Sequence, residues 1–144
     1  MFANIDYDKF PLVNVKLSKN IKNDNDLDKF FETWLKLYKL KKKFTFLFDT
    51  TDCGSINVRY CYAMAEFIKK LKKTEKEHYL EYSIIILKSS IVKFLVKTIF
   101  LITKPVSKVY IVNCLEDANK VYDKIKNKEE IDKKEIKYTF VNNV

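Results

Sequence analysis

Hydrophobic and polar positions alternate along Phe10 to Leu17. Leu12, Val13, Val15 and Leu17 are apolar and Asn14, Lys16 and Ser18 polar, which predicts a half-buried strand near a sheet edge, with Ile5 to Tyr7 as a short partner. After the polar stretch Asn20 to Asp26 the period changes. Leu27, Phe30, Phe31, Trp34, Leu35, Leu37, Tyr38 and Leu40 recur at helical spacing up to Lys41-Lys42-Lys43. They predict a first helix capped by Asp24 or Asp26, its negative C-terminal end met by lysines. Phe44 to Phe48 is then a nearly continuous apolar run, the mark of a strand covered on both faces, and it stops at Asp49 in an acidic, hydroxyl-rich loop. Val58, Cys61, Tyr62, Ala65, Ile68 and Leu71 predict a second helix from about Asn57 to Lys73.

Tyr82 to Leu87 reads as a second buried strand, and Ser89 or Ser90 starts a third helix that Pro105 ends. Val109 to Val112 is a further strand. Asn113 and Glu116 then form a capping box for a fourth helix with the buried stripe Ala118, Val121, Tyr122 and Ile125. Residues 127–134 are charged and expected on the surface, and Ile136 to Val141 is a final edge strand or a loosely ordered tail. Single helices between strands predict an α/β fold with a mostly parallel sheet of four to six strands, about four helices and right-handed crossovers. The 144 residues read as one domain, with 127–144 as a charged extension or edge strand.

Composition narrows the function. The chain is 47% apolar and 15% aromatic, ample for a core, and its single Gly excludes Gly-rich phosphate loops. The apolar run Ile91 to Ile102 is broken by Lys93 and Lys97 and is too short to span a bilayer. Met1 leads into a polar, acidic segment, so no signal peptide is expected. Cys53, Cys61 and Cys114 are odd in number and widely spaced, which suits reduced thiols in a cytoplasmic setting. With His78 the only histidine, no metal site and no cofactor are expected.

The formal net charge of +9 suggests an anionic partner. Lysine supplies nearly all of it, 27 residues against Arg59 alone, and the lysines are spread over most predicted elements. Specific nucleic-acid recognition relies on Arg forks beside aromatics, so it is not expected.

Two regions carry candidate functional residues. Ligands and partners tend to meet open α/β sheets at the carboxyl ends of the strands, which draws attention to Asp49, Thr51, Asp52, Ser55, Asn57 and Arg59. The two carboxylates with the loop hydroxyls could hold a metal or act as general bases. The alternative is that Asp49, Thr51 and Ser55 only hydrogen-bond the turn and cap the second helix. Cys53 and His78 could form a nucleophile pair, but His78 sits in the charged Glu75-Lys76-Glu77 turn and is expected to be solvated. Trp34, Tyr38 and Phe31 could wall a ligand pocket or simply fill the core.

The third helix is the second region. At 100° per residue Ile91, Val92, Leu95, Ile99 and Ile102 suffice as a core face, yet Phe94, Val96, Phe100 and Leu101 extend beyond it and flank Lys93, Lys97 and Lys104. A basic stripe edged by Phe suits an anionic membrane or a partner helix. The alternative is that neighbouring segments cover these residues.

The strand Phe46-Leu47-Phe48-Asp49, its loop and helix, the isoleucine-rich strand and the later Glu116-Asp117-Ala118 element resemble the STAS fold. They look most like compact SpoIIAA-like domains related to the CRAL-TRIO lipid-binding group, over roughly Leu12 to Ile125. The resemblance implies a central position for the Phe44 to Asp49 strand, a Glu-Asp-Ala element before the closing helix, and a non-catalytic regulatory module that binds a protein partner or itself as a homodimer. The CRAL-TRIO relationship implies instead a lipid or anionic-membrane partner. The phosphorylated Asp-Ser-Ser-Gly of STAS anti-sigma antagonists would fall at Asn57-Val58-Arg59-Tyr60, where the acceptor serine is absent, Ser55 being only nearby. The chain also looks too short for the helical gate of CRAL-TRIO proteins.

Overall fold

The computed structural model describes residues 2–18, 21, 23–54 and 56–144. Among them the elements follow the order β1 (Ala3–Asp6), β2 (Leu12–Leu17), α1 (Asp24–Lys39), β3 (Phe44–Asp49), α2 (Val58–Thr74), β4 (Leu80–Ile86), α3 (Ser90–Ile102), β5 (Lys108–Val112), α4 (Leu115–Lys126) and β6 (Thr139–Val141). They form a six-stranded mixed sheet in the order β1-β2-β3-β4-β5-β6. The strands β2 to β5 are parallel neighbours, while β1 and β6 close the two edges in antiparallel sense. The edge strand expected within Ile136 to Val141 is β6, and β2 lies one strand in from the edge.

Strand order explains the layering. Each crossover from β2 to β5 steps one strand in the same direction, so connections of one hand place α1, α2 and α3 on the same face. Period-two alternation divides the strand side chains accordingly. Val13, Val15, Phe44, Phe46, Ile85 and Val109 pack with Leu27, Phe30, Trp34, Ile68 and Val92 of these helices. Leu12, Leu47, Ile84, Ile86 and Val112 face the other way, against Ala118 and Val121 of α4 and Ile136 of the C-terminal segment. Because the strand order never reverses, the parallel strands have no topological switch point and no crevice between diverging loops.

Local signals place the helix ends close to expectation, with two shifts. Asn23 caps α1, its Oδ1 accepting from the Asp26 N–H at 3.2 Å, where Asp24 or Asp26 was expected. Cys114, not Asn113, is the N-cap of α4 and makes no side-chain capping bond, so the expected capping box does not form. Glu116-Asp117-Ala118 lies inside the first turn of α4, where its carboxylates face the positive end of the helix. Ser89, one of the two serines expected to start α3, caps it, and Asn57 caps α2, where Asp49, Thr51 and Ser55 were the capping residues considered.

Candidate functional site

The loop after β3 is held together by its own polar groups. Asp49 Oδ1 accepts from the Thr51 N–H at 2.9 Å. Burial pushes the Asp49 carboxyl up, but bonds from Thr51 and the charges of Lys16 and Lys88 outweigh it and hold the group below its ordinary range. Asp52 pairs with Lys16 at 3.4 Å, an exposed contact of little energetic weight. Thr50 is buried and donates its hydroxyl to the Ile86 carbonyl, fastening the loop to the end of β4. Asn57 Oδ1 accepts from the Arg59 N–H at 3.0 Å. The Arg59 guanidinium reaches Asp24 at 3.4 Å, donates to the Tyr60 hydroxyl at 2.8 Å and lies over that ring. Ser55 lies outside the described residues. Asp49, Asn57 and Arg59 are therefore engaged in the turn and the helix start. Asn57→Ala should destabilise the fold by about 1 kcal/mol in urea titrations, the usual worth of an N-cap; a larger loss would mean that the loop does more than cap.

The thiol and imidazole chemistry separates in space. Cys53 is buried at the carboxyl edge of the sheet, and burial pushes its thiol up to about 11, away from a reactive thiolate. His78 precedes β4 at the opposite edge and is half-buried, with Nδ1 3.0 Å from the Tyr38 hydroxyl. The solvated His78 expected from its charged turn is thus corrected, because a tyrosine far away in sequence covers it. Burial, with Lys72 and Lys43 nearby, lowers its pKa against the opposing pull of Glu75. The unfolded chain then takes up its proton at a higher pH than the folded chain. His78 leaves stability intact above about pH 6.5, the unfolded imidazole value, and subtracts from it as pH falls below that. Thermal melts should decline from about pH 7.5 to about pH 5.5, less steeply in His78→Gln; an unchanged slope in that variant would refute the assignment. Among the described residues no group of His, Cys, Asp and Glu could hold a metal ion.

The third helix divides differently from its helical wheel. Val92 and Leu95 are buried, as expected. Ile91, assigned to the core face, is 57% exposed, because it sits in the first turn, at the carboxyl edge of the sheet. Val96 and Phe100, expected to extend beyond that face, are half-buried and wall an internal chamber. Phe94 at 65% and Leu101 at 87% exposure do stand outside, with Lys93, Lys97 and Lys104 exposed beside them. Ile91, Phe94, Thr98 and Leu101 fall at three- and four-residue steps and so share one outer stripe. One signal for this face was readable earlier: between Glu81 and Glu116 the chain has no acidic residue but five lysines, Lys88, Lys93, Lys97, Lys104 and Lys108.

The loop and the helix adjoin through their inner sides, since Cys53 and Ile56 share a hollow with Val92 and Leu95. Trp34 belongs to the adjoining hollow, whereas Phe31 stacks on Phe67 at 4.2 Å and Tyr38 packs on Phe44 and Tyr79. No helix among the described residues is long and apolar enough to cross a membrane. Comparison with protein-family models, curated proteins and solved structures finds no match to this chain.

Proposed function

We propose that this chain is a non-catalytic, STAS-like docking module recruited to anionic lipid surfaces through the outer face of α3. The observation that carries the reading is the exposed stripe of Ile91, Phe94 and Leu101, set beside lysines on a segment without acidic residues. Apolar side chains on a helix lying flat on a bilayer insert below the headgroups, and flanking lysines meet the anionic phosphates. The central place of β3 in the sheet accords with the STAS-like relationship.

A protein partner or a second copy was the leading expectation, and charge ranks the second copy lower. A two-fold contact sets the same patch on both subunits, so Lys93, Lys97 and Lys104 would approach their own counterparts with no carboxylate on their own segment to pair them. Absence of an acid-bearing patch does not trouble a lipid surface. Co-sedimentation with anionic and neutral vesicles, together with light scattering coupled to gel filtration, separates the two occupants. A monomer that sediments only with anionic vesicles supports the membrane reading, and a stable dimer indifferent to lipid refutes it.

A further inference from the structure

Between the sheet and the layer of α1, α2 and α3 lie two apolar hollows of about 140 and 110 Å³. Leu17, Phe30, Phe48, Met64, Val96 and Ile99 wall both, so they adjoin as neighbouring lobes. Voids of this size are uncommon in a close-packed interior, and an apolar cavity of about 150 Å³ is large enough to take up benzene.

The larger lobe carries a polar end. Ser83 and Ser107 both line it, Ser83 midway along β4 and Ser107 just before β5. Ser107 is only 3% exposed, and its hydroxyl has no hydrogen-bond partner among the described residues. A buried hydroxyl left unpaired is unfavourable and calls for an explanation. Apart from Ser83 and the Trp34 Nε1–H, which is likewise without a partner among the described residues, the remaining walls are nearly all hydrocarbon or aromatic. The Thr50 hydroxyl, which also lines the lobe, is already bonded to Ile86.

The charge of an occupant is constrained as well. Among the described residues no Lys, Arg, His, Asp or Glu lines either lobe, so a carboxylate, phosphate or ammonium inside would find no counter-charge among them. We infer that the chamber is a binding site for a compact, neutral, mostly apolar molecule with one hydroxyl or carbonyl group, which hydrogen-bonds Ser107 while its hydrocarbon part fills the space beneath Val96 and Ile99. The inference is independent of the membrane reading, which concerns the opposite side of α3.

Trp34 lines the larger lobe and is the only tryptophan, so it reports occupancy directly. The probes are n-hexanol and n-hexanoate, alike in chain and different in charge, titrated above the carboxylate pKa. Hexanol should shift Trp34 emission saturably and raise the melting temperature, and hexanoate should do neither. Ser107→Ala should weaken hexanol binding about fivefold, the equivalent of one neutral hydrogen bond, while raising the melting temperature of the free protein. Val96→Phe should fill the chamber and abolish the response; if circular dichroism shows that variant unfolded, Met64→Phe closes the same space from α2. The proposal is overturned if wild type gives no saturable response, if hexanoate binds as well as hexanol, if Ser107→Ala binds hexanol unchanged, or if a folded filled variant still responds.

Discussion

Phe94→Glu/Leu101→Glu should abolish sedimentation with anionic vesicles while leaving the fold untouched. Burying a Phe or Leu side chain is worth about 1.5–3 kcal/mol each, so loss of both contacts alone should weaken partitioning roughly a hundredfold or more. The introduced carboxylates add repulsion from the same surface. Both side chains are already largely exposed, at 65% and 87%, so melting temperature and circular dichroism should stay within the small range of surface substitutions. Salt supplies a second, orthogonal signature. Contributions from Lys93, Lys97 and Lys104, on the order of 1 kcal/mol each near an anionic bilayer, should fade as ionic strength rises and the Debye length shrinks. Substituting the three lysines with Gln should remove the salt dependence but leave weak binding through the apolar stripe. Wild-type binding equal on neutral and anionic vesicles would sink the electrostatic part. A wild-type dimer split by the double change into folded monomers would show that α3 is a protein interface instead.

The largest stability effect is expected from Phe46→Ala. Phe46 is 0% exposed and lies within 5.0–6.1 Å, centroid to centroid, of Phe48, Phe44, Trp34 and Phe30. Truncating a buried Phe costs about 3–5 kcal/mol through lost transfer energy and the cavity left behind. A domain of this kind has only about 5–15 kcal/mol to lose, so the midpoint in urea should fall steeply and expression should suffer. The high end of the range is expected. Phe30, Trp34 and Phe48 already border the chamber, so the new void would join an existing one rather than collapse. Urea titration read by Trp34 fluorescence should show a lower midpoint with an unchanged slope. A loss below about 1 kcal/mol would mean that Phe46 is not at the centre of the core.

Much of the fold was legible because periodicity is a local property of the chain. Phe46-Leu47-Phe48 and Ile84-Ile85-Ile86 are apolar at successive positions only because both faces of those strands are covered, and each pattern announces its own strand. The amphipathic stripes of the four helices are equally local, and the single helices between strands imply a parallel sheet. Helix caps were less certain by a residue, since neighbouring Asn, Asp and Ser can each accept from a free N–H and backbone geometry chooses among them.

What decided the candidate sites was contact between residues remote in sequence. His78 meets Tyr38 across 40 positions, so its burial could not be read from the charged residues beside it. The chamber is walled from β2, β3, β4, α1, α2 and α3 together, and no stretch of the chain foretells a void where they fail to fill space. The third helix states the division most plainly. Its sequence by itself determined that apolar side chains surround it too widely for one sheet face and that lysines interrupt them. Only the tertiary structure decided that Val96 and Phe100 turn inward to the chamber while Ile91, Phe94 and Leu101 stay outside, because a helical wheel sets the angles between side chains and the packing of neighbours sets which angles are covered.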